Sequence, residues 1–96
     1  MNDLEIIQVE NANDLATCLN IRNSVFTKEQ GVPKEFEVDE YDTLNHKCIH
    51  FLMKYKNIYV GTLRGLFQEN NTIKLQRFCF LKEYRNLGMG KRLFNI

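Results

Sequence analysis

The chain has 96 residues, a formal net charge of +1, 44% hydrophobic residues and 26% charged residues, which is typical of one soluble globular domain. The small net charge argues against broad nucleic-acid binding, because a surface that follows phosphates needs a clear positive excess. The amino terminus carries Asp3 and Glu5 where a secretory signal needs bases, and the apolar stretches are too short to span a membrane. We therefore predict a cytoplasmic domain that binds neither nucleic acid nor membrane.

The first half of the chain predicts a strand, a helix and a polar loop. Residues 4–9 form a short strand, and Asn13 or Asp14 can cap the helix that follows, because a short polar side chain accepts from exposed N–H groups. Apolar residues then recur near helical spacing, and the helix should end before Gly31. Residues 34–47 are polar and acidic, which predicts a loop with room for one short helical turn.

The second half predicts three consecutive antiparallel strands and a final helix. The strands cover residues 48–55, 58–67 and 72–81, the turns residues 56–57 and 68–71, and the helix begins at Gly88. The element order β-α-β-β-β-α predicts a mixed fold of the α/β type, described more closely as α+β, with strands two to four antiparallel.

The turn between the fourth strand and the last helix is the most informative feature. Residues 85–90 read Arg-Asn-Leu-Gly-Met-Gly. Backbone N–H groups in the first turn of a helix have no helical partner, and the helix dipole favours an anion there. Gly88 and Gly90 lack a Cβ and let the backbone approach a ligand closely. The pattern predicts a phosphate cradle, although an ordinary turn can have the same residues.

The cysteines and histidines predict no metal or disulfide site. Cys18, Cys48 and Cys79 are odd in number and widely spaced, so we expect reduced, mostly buried thiols. His46, Cys48 and His50 would share one face of a strand, but no fourth ligand is near in sequence. No His or acid accompanies Cys79, which favours an apolar filler over a nucleophile.

The residues around the glycine turn resemble the GNAT superfamily of N-acetyltransferases, in particular its small bacterial members. That family carries Arg or Gln, two residues, Gly, one residue, then Gly or Ala, directly after its fourth strand. Arg85, Gly88 and Gly90 match these three positions. The likeness continues through residues 73–84, 21–26, 29–33, 39–42, His50 and residues 60–64, and runs from about residue 11 to the last residue.

The resemblance implies an enzyme that transfers an acetyl group from acetyl-coenzyme A to a primary amine by direct attack of the amine on the thioester. In the family, the fourth strand bulges, and its free main-chain groups bind the pantetheine arm as another strand would. The glycine turn binds the phosphates. The cofactor-binding residues that follow from the resemblance are Phe78, Cys79, Phe80, Arg85, Asn86, Leu87, Gly88, Met89, Gly90 and Lys91.

The sequence does not decide which residue is the general base. A frequent family base is a Glu on the fourth strand, but this chain has Gln76 there, and an amide cannot take a proton. Glu29, Glu35, His50 or an ordered water could serve as the base, and Glu29 and His50 are the candidates that we name.

The family continues past this helix with further strands and a Tyr that commonly protonates the leaving thiolate. The resemblance therefore implies that residues 1–96 are the N-terminal and coenzyme A-binding part of a single GNAT domain, incomplete at its C-terminus. A strand left without its neighbour is a template for another chain, so we expect a homo-oligomer, such as a dimer. The alternative function is a catalytically inactive relative that binds coenzyme A or associates with itself.

The charge pattern predicts where the acceptor lies. Residues 28–42 hold two lysines against six acids, a net charge of −4. Acids at this density can attract a cation over a Debye length of about 8–10 Å. We therefore expect the acidic stretch to border the acceptor, either a small-molecule amine or a protein amino group.

Overall fold

The computed structural model describes residues 3–87. The predicted final helix, and with it Gly88, Met89, Gly90 and Lys91, lies outside the described residues.

The described elements follow the predicted order. They are β1 (Leu4–Gln8), α1 (Ala12–Arg22), a π-helical segment (Asn23–Glu29), α2 (Lys34–Glu37), β2 (Cys48–Tyr55), β3 (Ile58–Phe67) and β4 (Ile73–Phe80), with 3₁₀ helices at Glu69–Asn71 and Lys82–Leu87. The bounds of β2 and β3 are those predicted, whereas β1 ends one residue earlier than predicted and β4 is one residue shorter at each end.

The cap of α1 corrects the sequence prediction. Asn11, not Asn13 or Asp14, is the capping residue, and its Oδ1 accepts from the backbone N–H of Asp14 at 2.8 Å. Its Nδ2 also donates to the carboxylate of Asp14 at 3.2 Å. Asp14 thus lies three residues inside the helix, where an acid can bond back to the cap, and this reciprocal pair favours the earlier start.

The helix continues past Arg22 without a break but changes its winding. Residues Asn23–Glu29 form a π-helix, which the apolar spacing did not predict. Helical structure ends at Glu29, with Gln30 as its C-cap, and thus before Gly31 as expected. Gly31 has a φ of 79°, in the left-handed region that favours glycine, and the chain then turns into α2.

The four strands form one antiparallel sheet in the order β1-β2-β3-β4, which confirms the mixed α+β class and the meander of strands two to four. The turn between β2 and β3 has φ values of 49° at Lys56 and 67° at Asn57, as expected for a two-residue hairpin turn. α1 packs on one face of the sheet, where Leu52 is buried, and Met53 is buried on the opposite face because successive strand residues alternate.

The three cysteines are free and buried, as predicted. Cys18 and Cys79 lie in the core between α1 and the sheet. Burial raises the pKa of the Cys79 thiol to about 12 and outweighs the opposing charge of Arg22. A protonated, buried thiol is a poor nucleophile, so the structure favours the apolar-filler interpretation of Cys79.

Candidate functional site

β4 is the last strand of the described sheet and bulges at its midpoint. Between the residues paired at Gln76 and at Cys79, the two β4 residues Arg77 and Phe78 lie opposite the single β3 residue Leu63. Arg77 has a φ of 55°. This left-handed conformation costs a non-glycine residue about 1–2 kcal/mol. The bulge expected from the family resemblance is confirmed, and it leads directly into Phe78, Cys79 and Phe80.

β3 approaches β4 closely beyond the bulge. Gly61 pairs with Phe80, and a Cβ on Gly61 would lie 2.6 Å from the Phe80 ring and 2.8 Å from the carbonyl oxygen of Cys79. The rings of Phe78 and Phe80 meet edge to face with centroids 5.4 Å apart. The absence of a side chain at Gly61 therefore lets Phe80 lie flat against β3 and fixes the end of β4.

A partly buried network of charges lies beside the bulge. We call it the arginine–carboxylate network, and it consists of Arg22, Arg64, Arg77, Glu37, Asp39 and Asp42. The side chains of Arg22 and Arg64 are only 1% and 2% exposed. Three guanidinium groups face three carboxylates, so the network is neutral as a whole.

Arg22 joins the end of α1 to the acidic loop. Its Nε donates to Oε2 of Glu37 at 2.7 Å, and its Nη2 donates to the backbone carbonyl of Glu37 at 2.9 Å. Its Nη1 and Nη2 both donate to the carboxylate of Asp42, at 2.5 Å and 3.1 Å. The guanidinium thus fixes the loop at two points.

Arg64 joins β3 to the same loop and to β4. Its Nη1 donates to Asp39 at 2.6 Å and to Asp42 at 3.0 Å. Its Nη2 donates to Oε1 of Gln76, the residue before the bulge, at 2.6 Å. The residue where the family often has a base is therefore an acceptor that receives a bond from a buried arginine.

Arg77 extends the network into the bulge itself. Its Nε and Nη2 donate to the backbone carbonyl of Glu37 at 3.2 Å and 3.1 Å. Its Nε lies 3.1 Å from the Glu37 carboxylate, and its Nη2 lies 3.4 Å from Asp39. The residue in the strained conformation is thus held by its side chain.

The arginines keep the buried carboxylates ionised. Burial alone would raise the pKa of Asp42, but the hydrogen bonds from Arg22 outweigh it, and the pKa lies below its usual value. Asp39 shows the same balance, since burial is outweighed by the bonds from Arg64 and the pKa is lowered. Both groups therefore carry their charge at neutral pH.

The acidic stretch has no free excess charge in the fold. Of its six acids, Glu37, Asp39 and Asp42 are paired in the network, and Glu29 is paired with Arg85. The acids without an ion pair among residues 3–87 are Glu35 and Glu40, which the two lysines of the stretch balance in number. The charge that led us to expect attraction of a cationic amine is thus cancelled by arginines from other elements.

Glu29 is linked to the C-terminal end of β4 by Arg85. Its two carboxylate oxygens accept from Nη1 and Nη2 of Arg85 at 2.5 Å and 2.6 Å, and Nε of Arg85 donates to the carbonyl of Phe80 at 3.0 Å. The bonds from Arg85 lower the pKa of Glu29. A carboxylate that is engaged at both oxygens, with a lowered pKa, is a weak proton acceptor.

His50 lies two strands away from β4, on β2, about 10 Å across the sheet. Its Nε2 lies 3.0 Å from the carbonyl oxygen of Tyr41 and 3.2 Å from that of Thr43. Because a carbonyl only accepts, Nε2 carries the proton and donates. Burial lowers the pKa of His50, so the ring is neutral and fixes the loop.

A cavity of about 220 Å³ adjoins the bulge. It is lined by Phe26, Val32, Phe36, Glu37 and Arg77. Phe36 is 73% exposed. The cavity therefore has an apolar wall from the segment after α1 and from α2, and a charged base from the network.

The sequence argues against a metal site and against a membrane-spanning helix, and the described residues bear on both. Residues 3–87 contain no group of three or more His, Cys, Asp or Glu side chains placed to hold a metal ion. No helix within the same residues is long and apolar enough to cross a membrane.

Sequence reasoning missed the arginine–carboxylate network. Arg64 lies in the middle of a strand that is buried along most of its length. A charged residue is almost never fully buried unless it is paired, so an arginine there requires acidic partners. The acids at 37, 39 and 42 were available in the sequence, and this combination was the signal that could have predicted the network.

Comparison with known proteins agrees with the fold. The family model for the acetyltransferase (GNAT) family matches residues 15–95. A Bacillus subtilis (strain 168) protein, named as a provisional acetyltransferase, is 42% identical over 88 residues, which are 92% of this chain and 59% of that protein. The chain thus spans about three fifths of the length of the relatives it matches.

Solved structures share the fold. A Lactobacillus plantarum protein, described as a provisional N-acetyltransferase, matches with a TM-score of 0.84 at 27% identity and covers 98% of this chain and 64% of its own. A Clostridium acetobutylicum protein described as a predicted acetyltransferase and solved with acetyl-CoA matches with a TM-score of 0.68 at 11% identity, over 96% of this chain and 69% of its own.

Proposed function

Because the chain belongs to the acetyltransferase (GNAT) family, we propose that it supplies the acetyl-coenzyme A side of an N-acetyltransferase that acts on a primary amine. The observation that carries the proposal is the bulge at Arg77 on the outermost described strand. β4 is the outermost strand of the described sheet, so its outer edge beyond the bulge, along Phe78, Cys79 and Phe80, can bind an extended amide-containing arm as an added strand would.

The reaction requires a base for the amine, a donor that polarises the thioester carbonyl, and a proton for the leaving sulfur. A backbone N–H of β4 polarises the carbonyl while the amine nitrogen forms a bond to its carbon and the carbon–sulfur bond breaks. The amine gives up a proton and the sulfur of coenzyme A gains one. Backbone amides of residues 86–91 bind the phosphates at the glycine turn.

The base is a group other than Gln76, which accepts from Arg64 and holds no ionisable proton. Glu29 is nearer the end of β4 than His50, but its bonds to Arg85 weaken it as a base. An ordered water beside the bulge is consistent with these contacts. The acceptor is a small-molecule amine or a protein amino group, and the free, buried cysteines fit a cytoplasmic protein.

Calorimetric titration with acetyl-CoA tests the proposal. Gly88→Val places a branched side chain in the predicted phosphate turn and should abolish measurable binding, whereas Ala12→Val, at the exposed start of α1, should leave affinity unchanged. Equal affinity in all three proteins would remove the phosphate turn from the proposal. If the parent chain does not bind acetyl-CoA, the proposed function is contradicted for this chain. Assays of acetyl transfer to a panel of amines should then show no product.

The second candidate is a non-catalytic relative that associates with itself. The observation that favours it is the position of β4 at the edge of the described sheet, because an edge strand can pair with another chain. Light scattering during size exclusion distinguishes a dimer from a monomer. A dimer that shows no acetyl transfer would favour this candidate over the first.

A further inference from the structure

We propose that Glu37 and Asp39 are positioning residues for acetyl-coenzyme A, which act by holding Arg77 and the β4 bulge. The inference rests on the proposed function, and it gives the acidic loop a different role from the attraction of a cationic amine. The loop would not contact the cofactor itself but would support the cofactor site through the side chain of Arg77.

The bulge needs support because its conformation is unfavourable. Arg77 has a φ of 55°, which a residue with a Cβ rarely adopts, and bulges with a left-handed first residue ordinarily have glycine there. Strained backbone persists only where the surroundings over-determine it. The contacts of the Arg77 side chain with Glu37 and Asp39 provide support of this kind.

The network holds β4 on both sides of the strained peptide. Gln76 is held by Arg64, and Arg77 is held by the backbone carbonyl and carboxylate of Glu37. Glu37 itself is only 3% exposed and is fixed by Arg22, so the anchor is rigid. The residues that follow, Phe78, Cys79 and Phe80, begin where this support ends.

The remaining acids of the loop offer a matched control. Glu35 and Glu40 are exposed and form no ion pair among the described residues, whereas Glu37 and Asp39 contact Arg77. If the loop acted by its charge, all four acids would matter alike. If it acts through Arg77, only Glu37 and Asp39 matter.

Two substitutions at residue 77 separate the effect of the side-chain contacts from the effect of the backbone strain. Arg77→Met removes the guanidinium but keeps a Cβ at positive φ, so the bulge loses its support. Arg77→Gly also removes the guanidinium but adopts positive φ without strain. In both variants Glu37 keeps Arg22 and Asp39 keeps Arg64, so the rest of the network retains its partners.

The experiment combines an affinity with a structural readout on the whole chain. We expect Arg77→Met and the Glu37→Gln/Asp39→Asn double variant to weaken acetyl-CoA binding about tenfold, or ~1.4 kcal/mol. Arg77→Gly and Glu35→Gln/Glu40→Gln should bind within about twofold of the parent. In a form of the protein that catalyses acetyl transfer, Arg77→Met should raise the KM for acetyl-CoA and leave kcat and the KM for the amine unchanged.

Nuclear magnetic resonance reports the bulge without any ligand. Backbone chemical shifts of residue 77 should indicate a left-handed conformation in Arg77→Gly but not in Arg77→Met. Amide hydrogen exchange of residues 78–80 should become faster only in Arg77→Met. Unchanged shifts in Arg77→Met, or equal losses in Met and Gly variants, would overturn the inference. If the parent chain binds no acetyl-CoA, the proposed function fails, and these shifts still decide whether the loop holds the bulge.

Discussion

Two sets of ion pairs tie β4 to distant parts of the chain, and they differ in burial. The arginine–carboxylate network meets β4 at its midpoint, with Arg22 and Arg64 almost fully buried. The pair of Glu29 and Arg85 meets it at its end, with both side chains 34% exposed. The geometry of the exposed pair is as good as that of the buried one, since the guanidinium engages both carboxylate oxygens.

Ion pairs of equal geometry do not contribute equally to stability when their burial differs. Removing one partner of a buried pair leaves a charge that water cannot reach, whereas a broken exposed pair is rehydrated and screened by salt. The network should therefore determine whether the bulge exists, and the exposed pair should adjust where the following turn lies.

The largest expected effect comes from removing a buried guanidinium. Arg22→Met leaves Glu37 and Asp42 short of their main partner and should lower the free energy of unfolding by about 3–5 kcal/mol. Arg85→Met, the matched change in the exposed pair, should cost far less. Urea unfolding followed by circular dichroism measures both, and similar losses in the two variants would contradict the distinction.

An intermediate effect is expected from acid. The pKa of Asp39 and of Asp42 is lower in the folded chain than the ~3.9 of an unfolded aspartate. Their contribution to stability is therefore complete above the unfolded pKa and is lost as the pH falls through the lower folded values. The unfolding free energy should fall steeply below about pH 4.

An Asp42→Asn variant provides the check on the acid prediction. It should be less stable at neutral pH and should lose less further stability in acid, because one of the linked carboxylates is gone. Glu40→Gln, in the same loop but exposed, should keep the parent's slope. Equal slopes in all three proteins would place the acid sensitivity elsewhere.

The smallest effect is expected from Glu29. Glu29→Gln keeps one acceptor for Arg85 and removes the charge, so it should change stability little, and the difference from the parent should shrink as salt is added, because salt screens the parent's ion pair. Its effect on acetyl-CoA affinity should likewise be modest, because Nε of Arg85 keeps its bond to Phe80. Affinity measured at low and high salt tests this, and a loss as large as that of Arg77→Met would reverse the comparison.

The strands were predictable because their signals are local. Strand composition and turn residues predicted β2 and β3 with correct bounds, and turn chemistry predicted the hairpin at Lys56 and Asn57. The bulge came from the family resemblance, since nothing in the residue type of Arg77 predicts a positive φ. The π-helical winding after Arg22 has no signal in apolar spacing.

The network was not predictable from spacing because its partners lie far apart in sequence. Arg64 and Asp42 are 22 residues apart, and Arg77 and Glu37 are 40 apart. Counting charges along the chain showed an acidic stretch and could not show that arginines from α1, β3 and β4 would neutralise it. The same limit applies to Glu29, whose partner is 56 residues away.

We propose that β4 from its bulge onward, together with the glycine turn, forms an acetyl-CoA site. Titration of the isotope-labelled chain with acetyl-CoA, followed by amide chemical shifts, tests it most directly. We predict saturable shifts at residues 78–80 and 85–91, with Glu35 and Glu40 unaffected. Shifts confined to the acidic loop, or none at millimolar acetyl-CoA, would contradict the account.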